Sequence, residues 1–433
     1  MSKLVDKFYG LVGRMRFVFL CAAASLIWCA ILVPCLCLYQ GGVRPIYNSE
    51  DGNQDIANYY MAGKVLIHGR FDALYPIPIE GKNSHNIGWP EMSEVKPGYR
   101  DLMGKYGVED NHRFILPPPS ALLFVPFSLL PYPLAKWVWV IALGSAFWGA
   151  GFLAFRIGLR TGATVQVALL WWLVWSFSPL YLKGLRTGNA TPLAALFLGL
   201  AAVGVYKNKA ARTVVGCIAV TLLKGTGVLL IPLILLLKRW KIAIVGVVLT
   251  TCILGLMLVI AGGDLFREYF SVVYTTTRQP DSFIGNQSVF GFLVRVLGTL
   301  TSFQITLIKS LSAVMLGACC WKMWQTRKLL RNDFPYFINW VVVLLSIYLL
   351  SSFYCWEHYM FFYLPFWIVL WGSSGRCVKG LLLVSSLLIL VPFSVVRGGA
   401  WCSVEPFGSH MMLGQVLILI GALFNVLKTI RSA

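Results

Sequence analysis

Apolar runs of about 17 to 25 residues follow one another along this chain with short polar breaks between them. That is the pattern of an all-α protein that crosses a bilayer many times. The first run, 17–39, follows a basic start (Lys3, Lys7, Arg14, Arg16). It is too long for the core of a signal peptide and no small-residue cleavage site follows it. It therefore reads as a retained span with the N-terminus in the cytoplasm. Further spans are expected at 133–155, 163–182, 189–206, 242–261, 303–321, 338–353, 360–371, 381–396 and 411–427, with an outer loop at 262–302. Basic loops alternate with weakly charged ones, which gives about ten crossings with both termini inside.

One stretch does not fit simple alternation. Basic residues flank 213–237 at both ends (Lys207, Lys209, Arg212; Lys238, Arg239, Lys241), yet two full crossings would need about 40 residues. Its middle is Lys224-Gly225-Thr226-Gly227, with Pro232 beyond. A broken, re-entrant hairpin with Lys224 at its tip satisfies both conditions; the plain alternative is one crossing with a snorkelling lysine. A lysine at mid-membrane depth needs a polar cavity or an anion.

The longest polar segment, 40–118, follows the first span and faces outward in this scheme. Within it, the stretch 54–76, QDIANYYMAGKVLIHGRFDALYP, spaces Ile56, Tyr59, Tyr60, Gly63, Leu66 and Ile67 as one face of a short amphipathic helix, with Gly69 as its stop. Asp55 stands at its head, a carboxylate close to the lipid surface. Residues 80–113 show little periodicity and are expected to be irregular. The next stretch, 114–132, is apolar, but prolines at 117, 118, 119, 126 and 131 forbid a straight helix, so it reads as interfacial or partly inserted.

Composition narrows the picture. Of 433 residues, 58% are hydrophobic and only 12% charged, which excludes a soluble protein. The net charge of +20 comes from 37 Lys and Arg residues that sit mostly in short loops, a positive-inside distribution and not the continuous basic face of a nucleic-acid binder. Ten of the 17 acidic residues lie in 40–118, which marks that segment as the solvent-facing part. The 11 cysteines are scattered, mostly within spans, with no CxxC, and so suggest neither a disulfide framework nor a zinc site.

The chemistry is expected on one side of the membrane, where Asp55, His112, Arg113, Lys183, Arg186, Asn189, Lys224, Asn286, Arg295, Glu357 and His358 all fall. An acid among cations suits a reaction that deprotonates an acceptor and expels an anion. Plainer roles exist for each: Asp55 as a helix cap, Lys183 and Arg186 as interfacial anchors, His358 as a packed side chain. Asn189-Ala190-Thr191 and Asn286-Gln287-Ser288 match the N-glycosylation pattern, which is common by chance. Walker, GxGxxG, HExxH and GxSxG signatures are absent. One acid without a paired carboxylate offers no metal site, so no metal and no cofactor is expected.

Six stretches in order carry a resemblance: DIANYYMAGKVLIHGRFDALYP (55–76), ILPPPSALLFVPFSLLPY (115–132), SPLYLKGLRTGNATPLAALFLGL (178–200), LLKGTGVLLIPLILLLKRWK (222–241), GNQSVFGFLVR (285–295) and EHYMFFYLP (357–365). Together they resemble glycosyltransferase family 87, integral-membrane enzymes of the GT-C fold that use polyprenyl-phosphate sugars as mannosyl or arabinofuranosyl donors. The resemblance implies one GT-C domain over 1–433, with 40–118 as its catalytic loop and 213–237 as the hairpin. It implies inverting transfer of a hexosyl or pentosyl unit to a lipid or glycan hydroxyl on the outer face of a bacterial plasma membrane. Asp55 takes the place of the base. His358 and Lys224, with Arg186, take that of the donor-phosphate site; Asn286 and Arg295 line it, and Tyr59, Asn189 and Glu357 complete the substrate contacts. This chain departs from the pattern at Asn189, where the family usually has Gln, at Gly225, where it has Pro, and at Leu116, where it has Tyr. A lipid or solute transporter and a non-catalytic scaffold subunit are the alternatives.

Overall fold

The computed structural model describes residues 55–76, 95–108, 114–276, 286–390 and 409–432. Among these residues the regular structure is helical, and strand-like pairing is limited to one antiparallel bridge between Asn286 and Trp356. The expected first span and the loop residues His112 and Arg113 lie outside the described residues.

The chain folds α1 (Asp55–Ile67), α2 (Pro97–Tyr106), α3 (Tyr132–Gly158), α4 (Val165–Ser176), α5 (Pro179–Thr187), α6 (Thr191–Tyr206) and α7 (Ala210–Lys224). It continues with α8 (Trp240–Thr276), α9 (Val289–Leu297), α10 (Ser302–Gln325), α11 (Phe334–Ser351), α12 (Leu364–Ser373), α13 (Arg376–Leu390) and α14 (His410–Ser432). Five of the described helices, α3, α8, α10, α11 and α14, are long and apolar enough to cross a membrane. This is the architecture of a polytopic helical membrane protein.

The helices divide by what surrounds them. α6 and α11 are wrapped by neighbours: α6 packs on α7 and α3, and α11 packs on α14. α8 and α10 instead turn apolar side chains such as Val247, Val259, Phe303 and Val314 outward, as lipid-facing helices must. Small residues allow the close approaches inside. A Cβ on Gly199 would come 2.7 Å from Pro365 Cβ, so α6 meets the start of α12 almost backbone to side chain.

α1 stops where its glycine dictates. Gly69 adopts φ +63°, and the amides of Gly69 and Arg70 bond back to Leu66 O and Val65 O at 3.1 and 3.0 Å. The helix is more enclosed than an amphipathic reading predicts, since every residue from Ile56 to Val65 is buried. The reason is the proline-rich segment. It breaks into a 3-10 turn (Pro118–Leu123) and a helical turn (Val125–Ser128), and both fold against α1. Ser128 Oγ donates to Tyr60 O at 2.7 Å, and a Cβ at Gly63 would stand 2.8 Å from Ser128 Cβ.

Elsewhere the helices depart from the expected spans for local reasons. The span at 163–182 is broken because Pro179 cannot continue α4; Ser178 caps the new helix, its Oγ accepting from Tyr181 N at 3.2 Å. Residues 97–106, expected to be irregular, form α2 between a proline at its start and Gly107 at φ +60°. The outer loop 262–302 is helical in large part: α8 runs on past a kink at Gly262 (φ +77°), and α9 fills 289–297. Its charged residues Asp264, Arg267 and Glu268 resemble a loop, but they sit on a helix beyond the apolar stretch. Within 213–237 the helix is broken where expected: α7 ends on Gly225 at φ +72°, and a 3-10 turn (Thr226–Leu230) and a short helix (Ile231–Leu236) follow.

Candidate functional site

Asp55 occupies the first turn of α1, where a carboxylate faces the helix's unpaired N–H groups. Across from it is the joint between α5 and α6. Gly188 makes that joint possible in two ways. Its φ of +68° is a left-handed turn, and a Cβ there would lie 2.9 Å from Ile56 Cβ. Trp139 of α3 fixes the joint from behind, its Nε1 donating to Gly188 O at 2.7 Å.

Asn189 follows directly and is buried at 2% exposure. Its Oδ1 accepts from Thr191 N at 3.0 Å and from Thr191 Oγ1 at 2.5 Å. A backbone N–H can only donate, so the carbonyl oxygen must face Thr191 and the NH2 group must face away. That group donates to Asp55 Oδ2.

Tyr59, one turn along α1, stacks on Phe124 (centroids 4.4 Å) and meets Trp139 edge-on at 5.7 Å. Burial, and after it the charge of Asp55, hold its phenol well above the ordinary tyrosine range; a backbone hydrogen bond with Ala190 opposes them. Tyr59 is thus a neutral wall beside the carboxylate.

Two further elements bring charge and aromatic surface to the same carboxylate. Lys224, the last residue of α7, and Tyr359, in the 3-10 helix Glu357–Tyr363, both feel the field of Asp55. The Lys224 ammonium stands 5.3 Å from the Tyr359 ring centroid, and the His358 ring meets Tyr359 edge-on at 4.9 Å. Asn189 thus touches Asp55 directly, Tyr59, Lys224 and Tyr359 lie within the electrostatic reach of that carboxylate, and His358 and Lys224 both meet the Tyr359 ring.

The remaining candidates fall into a second cluster. Asn286 is fully buried; its Oδ1 accepts from Ser288 N (3.3 Å), Ser288 Oγ (2.9 Å) and Cys355 N (3.0 Å), and its Nδ2 donates to Phe353 O at 2.8 Å. Arg295 donates to Asn286 O at 2.9 Å and to Ser409 Oγ at 2.6 Å. Gln287 Oε1 accepts from Met411 N and Met412 N at the head of α14. These residues tie 286–288 and 353–355 together just before Glu357, which is itself buried at the start of the 3-10 helix. The side chains of Lys183 and Arg186 lie outside the described ones, although the backbone of α5 is described.

Both glycosylation-like triplets are therefore buried turns that use the asparagine as a hydrogen-bond hub. Sequence reasoning overlooked Thr191, visible only as the third residue of such a triplet, and Tyr359, present only as the neighbour of His358 in the stretch 357–365. Among the described residues no three His, Cys, Asp or Glu side chains group closely enough to hold a metal ion.

A family model for glycosyltransferase family 87 matches residues 114–352, more than half of the chain. The chain belongs to glycosyltransferase family 87. It is thus a membrane glycosyltransferase. No curated protein matches it in a sequence search. The family 87 match takes in Asn189, Lys224, Asn286 and Arg295; Asp55, Tyr59, Glu357 and His358 lie beyond its two ends. In this family 87 protein the acid thus enters from outside the matched core and meets it at Asn189.

Proposed function

We propose that this glycosyltransferase moves a hexosyl unit, mannosyl in the first instance, or a pentosyl unit from a polyprenyl-phosphate donor to a lipid or glycan hydroxyl, with inversion and with Asp55 as general base. One observation carries the reading: the Asp55 carboxylate, hydrogen-bonded by Asn189, lies within the field of Lys224 and of Tyr359, which packs on His358. In the step, Asp55 takes the proton from the acceptor hydroxyl and the acceptor oxygen bonds to the anomeric carbon. The bond from that carbon to the phosphate oxygen breaks, and its electron pair leaves with the lipid phosphate. Lys224, His358 and Arg186 stabilise the departing anion. The segment 40–118 is the outward-facing catalytic loop of a single GT-C domain, and 213–237 is a re-entrant hairpin that carries Lys224 to the site. The setting is a bacterial plasma membrane with the reaction on its outer face.

The test is transfer from radiolabelled polyprenyl-phosphate mannose and polyprenyl-phosphate arabinofuranose in membranes carrying wild type or Asp55→Asn. The substitution keeps the shape and removes the base, and a turnover loss of about 100-fold or more is expected at equal expression. Equal transfer by both would remove Asp55 from the chemistry. No transfer by wild type from any donor would favour a transporter, for which the backbone break at Gly225 is also suited.

A further inference from the structure

Asn189 has the character of a substrate ligand when the sequence alone is read, but its surroundings give it another task. Both ends of its carboxamide are used inside the protein: the oxygen by Thr191 and the NH2 group by Asp55. Rotating the amide by half a turn would set its NH2 against the Thr191 N–H, two donors face to face, so the orientation has one solution. Thr191 is wholly buried and supplies both donors from one residue at the first turn of α6. The Gly188 turn and the Trp139 bond hold the joint against α1 from two sides.

We infer that Asn189 and Thr191 are positioning residues that act on the reaction through Asp55 and not through the substrate. Thr191 locks the carboxamide, the locked NH2 group pins Oδ2 of Asp55, and the carboxylate is thereby held in one orientation toward the acceptor hydroxyl. The inference rests on Asp55 being the base. A hydrogen bond donated to a carboxylate favours its charged form, so removing the donor makes Asp55 easier to protonate. The acid limb of the transfer rate then moves to higher pH. Lys224 and Tyr359, which sense the same carboxylate, and Tyr59 beside it are untouched by the substitutions below.

The experiment compares wild type, Asp55→Asn, Asn189→Leu, Asn189→Gln, Thr191→Val and the double variant Asp55→Asn/Asn189→Leu, using radiolabelled polyprenyl-phosphate mannose and arabinofuranose. Asn189→Leu should lower kcat by about 10- to 100-fold with donor KM changed less than about 2-fold. Thr191→Val, which keeps the shape and removes one donor, should lower kcat by about 3- to 10-fold. Asn189→Gln should restore part of the rate because it keeps the NH2 group. On the residual rate of Asp55→Asn, the further change of Asn189 should have no effect.

A second readout needs no knowledge of the sugar. Dicyclohexylcarbodiimide labels protonated carboxyls in apolar surroundings, and labelling of Asp55 can be followed by peptide mass spectrometry across pH. The labelling midpoint should rise by about one pH unit in Asn189→Leu and by less in Thr191→Val. A rise in donor KM with an unmoved midpoint would make Asn189 a substrate ligand and overturn the inference. Additive losses in the double variant would do the same. A moved midpoint with full transfer by Asp55→Asn would also overturn it, by a different route: the hydrogen bond would stand and the base would lie elsewhere. Should Asn189→Leu fold poorly, Thr191→Val and the labelling midpoint decide alone.

Discussion

Residues 189–191 and 286–288 are the same device built twice. In each, an asparagine sits two residues before a hydroxyl residue, and its Oδ1 accepts from that residue's N–H and from its hydroxyl. In each, the lock forces the NH2 group outward. The difference is what the NH2 group finds. At Asn286 it meets the Phe353 carbonyl, a group that needs a partner because it is buried, and the contact closes a clamp between distant parts of the chain. At Asn189 it meets the carboxylate of Asp55, an acid that water could solvate equally well outside the protein. The turn at 286 joins two stretches of backbone, and the turn at 189 applies the same geometry to a charged group. One local pattern therefore has two uses, and only the partner tells them apart.

The largest effect that separates them is on folding. Asn286→Leu would remove the hydrogen bonds to Ser288, Cys355 and Phe353 at once, taking the acceptor from two buried amides and the amide donor from the Phe353 carbonyl. A loss on the order of 3 to 5 kcal/mol is expected, enough to lower the melting temperature in detergent sharply and reduce the amount of protein in the membrane. Asn189→Leu should cost less stability than this while costing far more turnover per folded molecule. Equal melting temperatures for the two variants would erase the distinction.

This contrast also marks how far the sequence could be read. Hydrophobic runs announced the long helices because α3, α11 and α14 each hold an apolar stretch long enough to cross a membrane. Gly69 and Gly225 announced their breaks because each sits where the chain needs a positive φ. The helical outer part of α8 was illegible because its charges look like a loop when the helix leaves the apolar layer. The convergence of Asp55 with Asn189 was illegible for another reason: 134 residues separate them, and neither periodicity nor charge pattern reports which loop faces which. The role of Thr191 was hidden more deeply, since its triplet also spells a glycosylation acceptor. Only its burial rules out that use, because a glycan cannot be attached to a 2% exposed asparagine without unfolding the joint.

A smaller effect is expected where the turn meets α1. Gly188→Ala places a Cβ against Ile56 in a left-handed backbone conformation, a strain of about 1 to 3 kcal/mol. The joint should shift rather than unfold, because Trp139 still holds its carbonyl. Melting temperature should therefore drop modestly, and transfer should fall by more than the loss of folded protein explains. If transfer instead tracks folded protein one for one, the position of the joint has no bearing on Asp55.

The finest comparison exchanges the hydroxyls. Ser288→Ala removes the Oγ that donates to Asn286 and caps α9 by accepting from Gly291 N at 3.0 Å. Losing a helix cap and one hydrogen bond costs about 1 to 2 kcal/mol. Turnover of the remaining folded protein should stay within about 2-fold of wild type, since Asn286 keeps its bonds to Cys355 and Phe353 and the segment bearing His358 keeps its place. Thr191→Val removes one hydroxyl in the same relation to its asparagine, but Asn189 Oδ1 still accepts from the Thr191 backbone and no helix loses a side-chain cap. Its stability cost should be the smaller of the two and its turnover loss the larger. Melting curves and initial rates on the two purified variants give both orderings in one experiment. If Ser288→Ala proves to be the one that slows transfer, the 286–288 turn belongs to the site and the division drawn between the two turns fails.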